Sequence, residues 1–516
     1  MRARSITRRE FVQTLAAAGV AGAALGWRPS ETVLAAAMKR GGTLTVGIGT
    51  DLTSLDPNDN VFANNPMYYQ IYNYLIMFSE TLHPRPDLAE YWELAPDGMS
   101  ALFRLRTGVA THSGGTFGAD ALIANFRRVK EQATGGSTYS RLQDWTAADR
   151  VNDRIVRFRF SSPHPDYLSE VARWGMIDPA AFASVKNRGG GTGPFKVEEW
   201  VPGDHLTLTK FDNYWLPGIP AIDRIIMRPY ADPAAMENAF RAGTIDIAHT
   251  IPNKDTPLLR NAGLTVIPAP VANEFYILTL NARRPPLNNL QVRQAFQHLV
   301  DRAAIVKTVL GGVGAPTVQI VAPGTAAYDP ALNATYGFDL AKAKALLALG
   351  GVTRGFTPTL LASTVTPEVP QIAEIIQADL KKVGVDAHVD VVEGSTYYPR
   401  YFKGDFDLNL SFLTLATLDP TDFTVSSAFR TNATNPSWLE VGPPKVYIDG
   451  VRSLDETLDQ AKRWQNLRAL IRVILEQSWT VPIALHIPTF GVGKAVRGFA
   501  VDPQMIIDLR AVWLDR

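Results

Sequence analysis

The residue sets that could carry chemistry in this chain are few, and each lacks a part. Gly47-Ile48-Gly49-Thr50-Asp51-Leu52 follows a predicted strand and approaches the dinucleotide-binding fingerprint, but Leu52 stands where the third glycine belongs. No acidic residue follows a second strand at the usual distance, so no dinucleotide is expected. Gly189-Gly190-Gly191 could bend round a phosphate, yet it lacks the lysine and hydroxyl pair of a P-loop. Neither an HExxH nor a GxSxG pattern occurs. The eight histidines have no metal-ligand spacing, and His298 and His486 read as core or surface residues. Pairs of carboxylates are plentiful, but sequence alone brings no two together for acid/base work. With no cysteine there is no thiolate nucleophile, no cysteine metal set and no disulfide. The expectation is a protein that is not an enzyme and holds no metal and no cofactor. What remains is noncovalent recognition by polar and aromatic side chains in a cleft.

Such a cleft needs a scaffold, and the chain has the length for one. Residues 1–37 read as a leader to be removed: Thr7-Arg8-Arg9-Glu10-Phe11-Val12 has a twin-arginine arrangement. A short apolar run to Leu25 and the small residues Ala35, Ala36 and Ala37 follow. That run is too short and too glycine-rich to cross roughly 30 Å of hydrocarbon. Five arginines against two glutamates make the leader basic, whereas the whole chain carries only +1, so the remainder is slightly acidic. That balance gives no footprint for nucleic acid and no attraction to anionic lipid. Without a cysteine there is no lipid anchor, and a periplasmic, soluble, monomeric protein is expected. The remaining length exceeds the roughly 100–200 residues of a single domain, so two or three domains are expected.

The clearest local pattern is Gly191 to Trp215, GTGPFKVEEWVPGDHLTLTKFDNYW. Phe195 and Val197 alternate with Lys196 and Glu198, and Leu206 and Leu208 alternate with Thr207 and Thr209. Pro202-Gly203-Asp204 supplies the turn between them, so a β-hairpin is predicted. Elsewhere Gly41 to Ile48 reads as a first strand, Leu55-Asp56-Pro57 as a turn, and Met67 to Phe78 as a helix. Leu102, Phe103 and Leu105 are the apolar side of a strand pair around Pro96-Asp97-Gly98, and His112 is expected to satisfy the following turn.

These segments, in this order, resemble the family 5 extracellular solute-binding proteins, the dipeptide, oligopeptide and nickel-type receptors of ABC importers. The GTGPF hairpin ending in Asn213-Tyr214-Trp215, the Leu55-Asp56-Pro57 turn and the stretch from Leu82 to Gly115 carry the likeness. So do Thr244 to Ala248, Phe275 to Asn281, the helical stretch Asn289–Leu310, and Val481-Pro482-Ile483 through Phe499. The resemblance implies an α/β, two-lobed periplasmic-binding-protein fold (type II, cluster C-like) with an extra domain inserted in the first lobe. Lobe one is expected over 41–65, 190–270 and 485–516, the insertion over 66–189, and lobe two over 271–484.

By the same resemblance, a small solute, peptide-like or other, binds in the interlobe cleft, hinge closure buries it, and a membrane permease receives it. The competing class is a twin-arginine-exported enzyme. Position in the family pattern nominates Asn65 and Tyr68 after the turn, Trp174 at the insertion's exit, and Glu274 and Phe275 at the crossover. Tyr397, Thr414, Thr417 and Asp419 are nominated on the second lobe. Dipeptide receptors of the family pair an aspartate with the peptide ammonium and an arginine with its carboxylate. The matching positions here are Ala416 and Ser363, so a free dipeptide is disfavoured.

Overall fold

The computed structural model describes residues 38–516 except 60–63, 80–82, 132–136, 270–273, 324, 365, 415–428, 430–442 and 502–505. The expected leader, Ala416, Thr417 and Asp419 therefore lie outside the described residues. Among the described residues, no helix is long and apolar enough to cross a membrane.

Three sheets organise the chain. The first has seven strands in the order Thr265–Pro268, Thr489–Val492, Ile247–Ile251, Thr43–Ile48, Arg224–Pro229, His205–Lys210, Phe195–Val201. At its centre, Thr43–Ile48 runs parallel to both Arg224–Pro229 and Ile247–Ile251. Leu44 and Val46 are fully buried, as central strands covered on both faces require. The second sheet has six strands in the order Ala315–Pro316, Thr480–His486, Glu274–Leu280, Leu408–Thr414, Thr359–Ser363, His388–Val392. Helices Leu290–Leu299 and Val369–Lys382 contribute Phe296, Ile372 and Ile376 to the apolar core against it. A four-stranded antiparallel sheet, drawn from 89–160, packs with helix Ala119–Glu131 around Phe103, Phe158 and Trp174.

The predicted hairpin is present. Phe195–Val201 pairs with His205–Lys210 antiparallel, Phe195 opposite Lys210 and Val197 opposite Leu208. Phe195 and Leu208 are fully buried, and Gly203 takes φ 80° in the turn. The helix predicted over Met67 to Phe78 ends sooner. It spans Asn65–Ile71, Tyr72 is extended, and Ile76–Phe78 is a strand. The cause is the glycine motif itself. Gly193 N–H donates to Ile71 O at 2.9 Å, and a Cβ on Gly193 would stand 2.4 Å from the Ile71 carbonyl carbon. Two backbones in direct contact leave no room for another helical turn, and periodicity cannot report this contact because it spans more than a hundred residues.

His112 clamps the same motif. Gly191 N–H donates to Nδ1 at 3.1 Å, so the ring carries its proton on Nε2, which donates to Gly193 O at 3.0 Å. A second proton would sit on the acceptor nitrogen. Burial likewise disfavours the charged ring and pulls its pKa down to about 4, although the Gly193 carbonyl opposes the shift.

Two outcomes follow. Gly193→Ala should destabilise the protein by about 3 kcal/mol or more, measured by urea unfolding, because the methyl group meets backbone rather than a movable side chain. As pH falls from 6.5 to 4, the unfolded chain protonates His112 and the folded chain does not. Stability should therefore drop across that window by on the order of 1–2 kcal/mol more in the wild type than in His112→Gln.

Candidate functional site

A cavity of about 170 Å³ opens between the first and second sheets. Its first-sheet wall comes from the carboxyl ends of two parallel strands: Ile48, with Gly49 and Thr50 beyond it, and His249 to Ile251. Open α/β sheets bind ligands at this end because side chains and loops there converge while the strand backbones remain paired. Asn65 and Pro66, the first residues of helix Asn65–Ile71, close one side. Glu274, Phe412 and His486 face the cavity from the second sheet, with Thr366, Pro367 and Glu368 leading into helix Val369–Lys382.

The chain passes between the sheets after Thr265–Pro268 and returns between Thr480–His486 and Thr489–Val492. The crossover strands Glu274–Leu280 and Thr480–His486 are antiparallel neighbours, with Glu274 opposite His486. The two side chains meet: His486 Nδ1 lies 2.6 Å from Glu274 Oε2, and both residues are buried. Burial alone would lower the imidazole pKa. The Glu274 carboxylate outweighs it and raises the pKa above its ordinary value, with Glu368 adding a smaller push. Tyr276, two residues along the same strand, donates its hydroxyl to Glu368 Oε2 at 3.1 Å. Thr250 on the opposite wall has φ 66°. A β-branched residue in the left-handed region is strained, and such strain collects where a site needs a particular backbone shape.

The loop before Asn65 is held from several directions. Tyr68 donates to Ser54 O at 2.9 Å, and Asn64 Nδ2 reaches Tyr68 Oη at 3.1 Å and Thr53 Oγ1 at 3.2 Å. Asp56, fully buried, pairs with Arg128 of the four-stranded layer.

Of the residues nominated from sequence, Asn65 and Glu274 line the cavity. Four others lie in packed surroundings away from it. Tyr68 is buried and positions the loop. Trp174 packs edge-on against Phe126 and Phe158 inside the four-stranded layer. Phe275 points to the opposite face of its strand from Glu274, as the two-residue period demands, and joins Leu413 and Leu467 in a core. Tyr397 donates to Asn409 Oδ1 and stacks on Tyr401. Thr414 pairs with Glu274 in register. Sequence reasoning missed Glu368, Phe412, Thr250 and the part His486 plays. The available signal for Glu368 was its place at a helix start just after Thr359–Ser363, a strand with parallel neighbours on both sides.

Elsewhere His164, Asp166 and Glu170 could bring three ligand atoms together. Glu170 is already engaged there by His164 Nε2 at 2.9 Å and by the indole N–H of Trp145. Phe160 stacks on the His164 ring. This cluster is a satisfied part of the layer's core.

Two α/β lobes with a cavity at their paired crossovers make the architecture of a receptor that takes up a solute between its halves. The chain belongs to the bacterial extracellular solute-binding proteins of family 5, whose model for the middle region matches residues 83–435. These are solute-binding proteins and not enzymes. The chain is similar to the glutathione-binding protein GsiB of Escherichia coli K12, with 25% identity across 89% of this chain and 92% of that protein. It shares its fold with AgaA of A. tumefaciens R10, solved with agropinic acid, at TM-score 0.81 and 24% identity. That match covers 92% of this chain and 99% of AgaA. It likewise resembles a dipeptide-binding protein of Pseudoalteromonas sp. SM9913, solved with Met-Leu, at TM-score 0.82 and 22% identity. That match covers 92% of this chain and all of the other.

The Glu274–His486 pair predicts its own titration. By NMR, the His486 imidazole should titrate above pH 6.5 in the wild type and at a lower pH in Glu274→Gln, where burial is opposed only by the weaker influence of Glu368. The pair's contribution to stability is complete below pH 6.5 and fades as pH rises through the elevated folded value.

Proposed function

We propose that this protein is the periplasmic receptor of an ABC importer, and that the cavity at the crossovers is its solute site. The observation that carries the reading is the position of that cavity. It lies beside both connections between the sheets, so a rotation about the crossovers brings the two walls together around a solute. The domain division expected from sequence suits this motion: 41–65, 190–270 and 485–516 as one lobe, 271–484 as the other, and 66–189 as a layer on the first. Export through the twin-arginine leader, delivery to a membrane permease and a monomeric state complete the proposal. A twin-arginine-exported enzyme is not supported.

Asn65 and Glu274 are proposed to touch the solute, together with Thr250, Glu368, Phe412 and His486 from the cavity wall. Thr414, Thr417 and Asp419 are proposed contacts from the strand Leu408–Thr414 and the segment after it. Tyr68 is proposed to act by holding the loop before Asn65. Trp174, Phe275 and Tyr397 are proposed to support the walls. Relatives named for glutathione, agropinic acid and a dipeptide share this fold, so the fold does not choose the solute. Micromolar capture requires only about −8 kcal/mol, which a few aligned polar contacts and one or two buried apolar faces supply.

Native mass spectrometry of protein isolated from its host's periplasm tests the reading. The expected result is a small-molecule adduct that is lost on unfolding and restored by adding the molecule back, with the mature chain beginning near residue 38. Return of the adduct as a chemically altered product would instead identify an enzyme.

A further inference from the structure

We infer that the solute carries a cationic group, and that Glu368 receives it. The inference rests on the cavity being the solute site. It extends that reading to the charge of the ligand.

The two carboxylates on the cavity wall are in different situations. Glu274 is matched by His486 at 2.6 Å, and the raised proton affinity of the imidazole favours its charged form beside the carboxylate. Glu368 has no such bonded counterpart: His486 is hydrogen-bonded to Glu274 and feels Glu368 only as the weaker of two charges, so one imidazole faces two carboxylates. Glu368 is only 6% exposed, and among the described residues no lysine, arginine or histidine pairs with it. Among the described residues, its side-chain hydrogen bond comes from the neutral Tyr276 hydroxyl. It holds the N-cap position of helix Val369–Lys382 and makes no cap bond, so its carboxylate is not engaged by the first-turn N–H groups. The carboxylate is turned instead toward Tyr276 and the cavity.

A carboxylate buried without a partner is unfavourable, and the helix dipole behind it offsets only part of that cost. A cation arriving with the solute would offset the rest, while an anion would meet repulsion from Glu368. The remaining wall supports the same assignment. Among the described lining residues there is no lysine or arginine, and the one imidazole with raised proton affinity, His486, is already bonded to Glu274. Ile48, Pro66, Ile251, Pro252 and Pro488 are apolar, and Phe412 adds a ring to the same lining. A cation on an apolar stem fits such a surface, because the stem gains burial and an aromatic face attracts positive charge. The solute class is thus an amine, guanidine or quaternary ammonium compound whose body is apolar or neutral.

Two series, each holding shape constant and changing charge, test this: phenethylamine, 2-phenylethanol and phenylacetate, then hexylamine, hexanol and hexanoate. Each is titrated into the mature wild-type protein and into Glu368→Gln by calorimetry, with melting temperature followed in parallel. The amine of a series should bind at least about 30-fold more tightly than its alcohol, and the carboxylate most weakly. Glu368→Gln keeps the shape and an acceptor for Tyr276, and should shrink the amine's advantage to about threefold or less. Equal or tighter binding of an alcohol or carboxylate, retained in Glu368→Gln, overturns the cation assignment and leaves the receptor reading standing. Failure of all six to bind or to raise the melting temperature overturns the cation assignment, while the receptor reading stands or falls on the native mass measurement. If the variant does not fold, the ranking of the three charge states on the wild type decides alone.

Discussion

Everything at the cavity depends on the pairing of two crossover strands. Glu274–Leu280 and Thr480–His486 lie side by side and antiparallel, so the outward and return connections leave the second sheet at one point. The Glu274–His486 contact closes the end of that pair. A buried ion pair of this kind adds little net stability, because desolvation cancels most of the attraction. Its effect is on register. A slip of one residue would turn Phe275 into the cavity and Glu274 into the core, exchanging a charge for a ring on both sides of the sheet. The cost of burying an unmatched carboxylate excludes that alternative and fixes which face Tyr276 and Phe412 present.

The first sheet's central strands and hairpin were legible in the sequence because their information is local. Alternation in Phe195 to Thr209 and the Pro-Gly-Asp turn specify a hairpin without reference to anything else. The helix after Asn65 was over-read for the converse reason: Gly193, distant in sequence, is what stops it at Ile71. For the cavity, the pattern located the crossovers and with them Glu274, but could not choose faces. Phe275 was nominated with its neighbour although adjacent strand residues point oppositely. Trp174 and Tyr397 look like recognition residues in any list of aromatics, but only tertiary packing shows them enclosed by Phe126, Phe158 and Tyr401. Glu368 and His486 were invisible as a set, since more than a hundred residues separate them. An acid at a helix start reads as a cap, and nothing in the chain's order says that it turns away.

The cavity's two walls have unlike means of support. The first-sheet wall is built on paired parallel strands and on a loop pinned by Tyr68, Asn64 and Asp56, with strain at Thr250 absorbed by its surroundings. On the second-sheet wall the Glu274–His486 contact comes from two crossover strands, and Glu368 comes from a helix packed on that sheet. Among the described lining residues the carboxylates are confined to the second wall, while the first contributes His249, Thr50, Thr250, Asn65 and apolar surface.

The buried Asp56–Arg128 pair has a mechanical consequence. Arg128 belongs to the helix of the four-stranded layer, and Asp56 to the turn that leads to the first-sheet wall. Separating them would leave two buried charges without partners, so the pair ties the layer to the first sheet. Under the proposed rotation at the crossovers, the layer would swing through an arc with the first sheet as the shaft of a lever. A small displacement that encloses a solute would thereby become a larger displacement at the outer edge of the molecule.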